Sequence, residues 1–406
     1  MTEGVPRRAA PGDGEAVRSC LEAGFSSRYD DARAASVLAA LGEGASLVVE
    51  HGALVVGALV AHEVELTLPC LDGMRARCVS DLAVRPTHRR RGVLRALMGA
   101  ALGQAHEQGE AIAVLGASEA GIYPRFGWGA ATHTASYRVD RRSASLLASA
   151  RPSPGTVALL EPGPASAVLP AVLDAARRRR AGEISRRPDA WPEVLAAGGD
   201  RQSAPCRFVA AYLDGGQVEG YALYEVRGAG EERREVVLVE CATTGDAAYV
   251  ALFGYLVGID LTDALRTGER PVDEPVRHLL DDPRALETVG TSDGAWLRLI
   301  DARTCLERRG YSAAGRVVLE VHDATCPWNE GRWSIETDAD GETDVTATTD
   351  PAEIELGASE LAALYLGGTR ATSLRSAGRV LEHERGAALR LDTLLYCDPV
   401  PFCTAL

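Results

Sequence analysis

The chain predicts an α/β (α+β) fold of three successive units, over residues 1–145, 146–300 and 301–406. Three observations predict it. Residues 78–128 read strand, basic glycine turn, helix, strand and aromatic turn in immediate succession. Residues 236–258 repeat the strand-then-helix outline with a different turn between them. From residue 301 onward, strands separated by Asp/Gly turns come first and an apolar helix follows them. A chain of 406 residues also exceeds what one ordinary core supports.

Within 78–128, Val79, Leu82 and Val84 supply the aliphatic run of a strand, and Pro86 ends it because proline cannot donate to a sheet ladder. His88, Arg89, Arg90, Arg91 and Gly92 follow. Val93, Leu94, Leu97, Met98, Ala101 and Leu102 then recur at helical spacing, with Gly109 as the stop. A helix that starts directly after such a turn is an anion site. Its first amide hydrogens lack partners, and its dipole is positive at that end. Gly92 permits close backbone approach, while Arg89, Arg90, Arg91 and Arg95 add charge, so a diphosphate is the natural guest. Three arginines alone would read as a solvated basic patch; their place between strand and helix favours the diphosphate.

The turn, read as R-R-R-G-x-L from Arg89 to Leu94, resembles the acetyl-CoA signature of the GCN5-related N-acetyltransferases (GNAT), with Leu94 departing from the usual small last residue. Residues 117–127, A-S-E-A-G-I-Y-P-R-F-G, are the more specific segment. Together the two resemble the Eis-like (enhanced intracellular survival) aminoglycoside acetyltransferases. The repeated strand-and-helix outline of residues 236–258 reads as a second GNAT-like domain lacking the diphosphate turn, with an unrelated α/β domain as the alternative, and the resemblance implies a sterol-carrier-protein-like domain after it.

In the first unit, helices are expected over 13–25 and 32–41, and paired strands over 46–50 and 53–62 around His51-Gly52. Further strands are expected over 63–68, 112–115 and 136–139, the last closing this unit. Residues 151–163, with four prolines nearby, mark a boundary. A helix over 171–180, strands over 208–213, 220–226 and 235–241, and an apolar helix over 247–258 make the second unit. There Thr243-Thr244-Gly245-Asp246 replaces the arginine turn, and Asp246 would stand where a phosphate needs to be. The third unit is expected to hold a helix at 304–309, strands over 315–321, 331–337 and 342–347, and a helix over 359–366 stopped by Gly367-Gly368.

No apolar run approaches the roughly 18 residues of a membrane span, and residues 1–17 lack the apolar core of a secretory signal, so a cytoplasmic protein is expected. Nine cysteines without CxxC pairs support neither a disulfide framework nor a metal site. Cys20, Cys70, Cys78, Cys206, Cys241 and Cys305 read as small buried hydrophobes. A net charge of −14 argues against a nucleic-acid partner and suits a cationic one, although solubility alone would also explain it.

Acetyl transfer to an amine requires a held thioester, a polarised carbonyl, a deprotonated amine and a proton for the leaving thiolate. The backbone of Leu82, Ala83 and Val84 would pair with the pantetheine arm of acetyl-CoA where the next strand splays away. The turn from Arg89 to Arg95, including Val93 and Leu94, would hold the diphosphate. The resemblance adds Ser118 and Glu119 beside the cofactor, Tyr123 as proton donor, and the chain's own C-terminal carboxylate at Leu406 as base. Phe25, Tyr29, Asp30 and Asp31, on the turn after the first helix, are the candidates for binding a polycationic amine. A trimer or hexamer is implied by the family alone. Other acceptors (a polyamine, a peptide or a protein lysine) and a lipid-binding scaffold with a regulatory acetyltransferase half are the alternatives.

Overall fold

The computed structural model describes residues 4–147, 154–196, 206–228 and 233–404. Three sheets organise the described residues. The first runs in the order Arg7–Arg8, Leu47–His51, Leu54–Thr67, Gly73–Val84, Ile112–Gly116, Ala295–Leu299, Gly129–Ala130. Alternation along its strands feeds two layers. Val48, Val55, Ala58 and Val60 pack with the helices Gly14–Phe25 and Asp31–Gly42. Val49, Val56 and Leu59 point the other way, onto the helix Val93–Glu107.

The hairpin after His51 is longer than expected. Leu54–Thr67 is one strand rather than two, since 62–63 contains no Gly or Pro to break it. It pairs with Gly73–Val84 from Gly57 to Thr67, and the register slips once: Val60 faces Asp81 while Ala61 faces Val79. Ser80 is therefore an extra residue, and this bulge reverses the alternation beyond it. Val79 and Leu82 consequently share the face toward Val93–Glu107, whereas Asp81 and Ala83 fall on the face of the two N-terminal helices.

Two strands exchange sheets. His133–Asp140, expected to close the first unit, lies in the second sheet between Ala264–Thr267 and Leu286–Asp293. Its place in the first sheet is taken by Ala295–Leu299, which pairs with Ile112–Gly116 and Gly129–Ala130. His133–Asp140 alternates between buried and half-buried residues while Ala295–Leu299 is buried throughout, and long-range pairing places each in its sheet. Of the prolines near the expected boundary, Pro162 opens the helix Pro162–Arg177, where it fits the first turn because that amide has no intrahelical acceptor.

The third sheet adds Ile354–Gly357, parallel to Gly315–His322, and Val380–Glu382 to the expected strands. Its core is continuous with the far half of the first hairpin: Leu66, Met74 and Cys78 pack with Leu306, Leu319 and Leu361. Cys20, Cys78, Cys241 and Cys305 are buried, but Cys70 and Cys206 are exposed, correcting the reading of those two as core residues. Cys70 follows Pro69 in a turn and Cys206 precedes a strand, positions decided by chain reversal rather than by neighbouring apolar residues. Among the described residues no helix is long and apolar enough to cross a membrane.

Candidate active site

The strand Gly73–Val84 runs parallel to Ile112–Gly116 for three residues only, and that ladder ends at Val79 opposite Leu115. Beyond it the two strands part, and a cavity of about 970 Å³ opens along Leu82, Ala83 and Val84. On their other side these residues stay paired to Leu59, Ala58 and Gly57. A side chain at Gly57 would stand 2.5 Å from Val93 Cγ1, so the glycine lets the helix start close against the strand.

The turn between them is wound tightly. Arg90 has φ 64° and Gly92 φ 85°, both left-handed. Such a conformation costs a non-glycine residue about 1–2 kcal/mol, and here it curls successive backbone N–H groups toward one side. Gly92 stands at the N-cap of Val93–Glu107 with no side-chain cap, which leaves the first amides for a ligand. Arg89, Arg90, Val93, Leu94 and Arg95 join Gly92 in the cavity wall. Arg89 is partly committed: its Nη2 donates to the Gly24 carbonyl at 2.8 Å, tying the turn to the first helix. Arg91 has an interaction of its own and is not in the wall. A concave run of amides flanked by exposed arginines, with no Cβ at Gly92, fits a diphosphate.

Ser118, Glu119 and Tyr123 line the opposite side. Tyr123 is 6% exposed, edge-on to Trp128 with ring centroids 6.4 Å apart and 6.1 Å from Trp296. Burial, then the nearby Glu119 charge, holds its phenol above the usual range, with the Ser118 side chain opposing. Tyr123 therefore stays protonated and is available as a donor.

A smaller cavity of about 330 Å³ adjoins the first and shares Phe25, Leu82, Ser118 and Tyr123 with it. Its carboxylate is Asp81, which sequence reading missed because only the Ser80 bulge turns it this way. Asp81 Oδ1 accepts from the Tyr29 hydroxyl at 2.9 Å and from Arg33 Nη2 at 2.7 Å. Phe25 and Tyr29 thus lie where expected, but Asp30 and Asp31 do not line either cavity. Asp30 caps the next helix, accepting from the Arg33 amide at 2.8 Å, and Asp31 is exposed in that helix's first turn.

The tail is traced as far as Thr404. Phe402 donates its amide to the Ala181 carbonyl at 3.0 Å, and Thr404 gives amide and hydroxyl to the two oxygens of Glu183 at 2.8 and 2.7 Å. Leu406 lies outside the described residues.

The second sheet has a comparable wedge. Glu235–Thr243 runs parallel to Ala264–Thr267 until Leu238 meets Thr267, and the strands then separate. Arg270 fills the gap, donating to the Cys241 carbonyl at 3.0 Å and pairing with Glu274. The helix Asp246–Gly258 opens with a carboxylate instead of an arginine turn. What remains is a cavity of about 490 Å³ walled partly by Phe402 and Thr404.

Wedge, glycine turn and buried tyrosine together define an acetyltransferase of the GNAT class, and the chain is an N-acetyltransferase. Models of the acetyltransferase (GNAT) domain match residues 5–131 and 182–299, and a sterol carrier protein domain matches 302–404. The chain is 35% identical over 370 residues to the N-acetyltransferase Eis of Mycobacterium tuberculosis, covering 87% of this chain and 86% of that one. It is 36% identical over 353 residues to an uncharacterised N-acetyltransferase of Streptomyces coelicolor, covering 86% and 84%. The crystal structure of Eis1 from Mycobacterium abscessus superposes with TM-score 0.87 at 31% identity, over 98% of this chain and 99% of that chain. The chain belongs to the Eis-type N-acetyltransferases.

Proposed function

We propose that this enzyme transfers acetyl from acetyl-CoA to amines of aminoglycoside-like, polycationic acceptors. The observation that carries the reading is the 970 Å³ wedge cavity, which joins the glycine turn at one end to Tyr123 at the other. Acetyl-CoA, when bound, supplies the activated thioester. The amides at Gly92 and Val93, with Arg90 and Arg95, hold its diphosphate. The backbone of residues 82–84, freed by the splay, pairs with the pantetheine arm and polarises the carbonyl. Tyr123 gives its proton to the departing thiolate. The C-terminal carboxylate of Leu406 takes the amine's proton. The described tail is fastened at Ala181 and Glu183, beside the second unit's cavity, so the last two residues would have to carry the carboxylate from there to Tyr123. Assembly into trimers or hexamers belongs to the same reading, and sedimentation tests it.

Incubating the protein with acetyl-CoA and a panel of aminoglycosides, polyamines and lysine peptides, with products counted by mass, tests the substrate class. Acetylated aminoglycosides are expected. Products from peptides alone would replace this acceptor with a protein lysine.

A further inference from the structure

The two cavities of the first unit meet along Phe25, Leu82, Ser118 and Tyr123. Tyr123 and Leu82 line both, so a reacting amine beside the thioester sits at their common wall. Asp81 lines the smaller cavity and not the larger one. It is 5% exposed, and the two bonds that fix it both end on Oδ1. Oδ2 lies outside both bonds. Phe25, Tyr29 and Tyr123 supply aromatic surface around the same space. A buried carboxylate among aromatic rings is the chemistry that recognises an ammonium group, through one charge-assisted hydrogen bond and attraction to the ring faces.

We infer that Asp81, held by Tyr29 and Arg33, is a specificity subsite for a second ammonium group, a few bonds from the amine that is acetylated. This rests on the acetyltransferase reading above and deepens it, because it assigns one carboxylate, Asp81, to a second ammonium group of the polycationic acceptor. Arg33 offsets part of the carboxylate's charge. Its contribution is orientation: with Tyr29 it fixes the carboxylate on the inner face to which the Ser80 bulge has turned it. Asp81 is thus an anchor, and Tyr29 and Arg33 are positioning residues.

The test compares putrescine with butylamine, which differ by the second ammonium group, using acetyl-CoA and the full chain. The wild type is expected to prefer putrescine in KM. In Asp81→Asn the preference should collapse, with the putrescine KM raised about tenfold or more, the size of a lost charge-assisted bond, and acetyl-CoA affinity retained by calorimetry. Tyr29→Phe removes one hydroxyl without disturbing packing, and there the putrescine KM should rise more than kcat falls. It also gives a reading if Asp81→Asn does not fold. An active Asp81→Asn enzyme with the wild-type putrescine preference overturns the subsite alone, as does an unchanged putrescine KM in Tyr29→Phe. A wild-type chain that acetylates no amine overturns the acetyltransferase reading and the subsite with it.

Discussion

Arg298 and Asp323 form a buried ion pair between the first sheet and the third unit: Nη2 donates to both carboxylate oxygens, at 2.6 and 2.7 Å. Their side chains are 1% and 2% exposed. The guanidinium packs directly behind Gly127, where an added Cβ would lie 2.7 Å from Arg298 Cζ. Gly127 ends the turn that carries Tyr123, with φ 80°. The third unit also grips the next residues, since Ser359 Oγ donates to the Trp128 carbonyl at 2.7 Å. The sterol-carrier-like unit therefore braces the tyrosine turn.

Breaking that brace has a predictable cost. Asp323→Ala leaves a guanidinium buried without its counter-charge, and such losses run to about 3–5 kcal/mol. Chemical denaturation should show a fall of that order. The double variant Arg298→Met, Asp323→Leu should recover only part of it, because replacing both charges removes their desolvation penalty yet leaves the Cys326 amide and the Asn329 side chain without their carboxylate acceptor. A single variant as stable as wild type would show that the pair does not hold the units together.

The turn at Gly92 is strained by design, and its test is conformational. Alanine at φ 85° meets a steric penalty and places a Cβ at the helix start. Gly92→Ala should raise the acetyl-CoA KM about tenfold or more, as expected when one or two amide contacts are misplaced. The acceptor KM should change little. Equal acetyl-CoA affinity in the variant, read by thermal shift, would move the diphosphate elsewhere.

Parts of this site are legible in the sequence because they are local. The strand, proline, arginine turn and helix lie within one short stretch, and each residue type there has its own backbone consequence. Tyr123 is legible by the company it keeps in residues 117–127. Asp81 is not, because a single extra residue at Ser80 decides which face it occupies, and strand alternation alone assigns it the wrong one. The exchange of His133–Asp140 for Ala295–Leu299 is hidden for a similar reason: pairing partners far apart in the chain decide which sheet each strand joins. Asp30 carries the charge a cationic acceptor needs, yet its position before a helix commits it to capping.

The tail offers a prediction about the chain's end. Thr404 is fastened to Glu183 by two hydrogen bonds, and in the proposed mechanism the chain's terminal carboxylate is the base, so an extension beyond Leu406 replaces that carboxylate with a peptide bond. A protein tagged after Leu406 should lose most of its turnover while still binding acetyl-CoA, and proteolytic removal of the tag should restore it. Full turnover with a long extension would remove the terminal carboxylate from the role of base.

Tyr123 carries the prediction that bears most directly on chemistry. Its pKa is raised by burial and by Glu119, so the proton-donating form is present below that raised value and disappears as pH climbs through it. The alkaline limb of kcat should therefore lie above the usual titration range of a phenol. Tyr123→Phe preserves the ring packing against Trp128 and Trp296 but deletes the proton. Turnover should fall about 10²–10⁴-fold, the usual weight of a positioned acid, with acetyl-CoA affinity intact and the tyrosine-dependent limb absent. A phenylalanine variant with wild-type turnover and the same alkaline limb would assign the donor to another group or to water, and leave Tyr123 as a wall of the cavity.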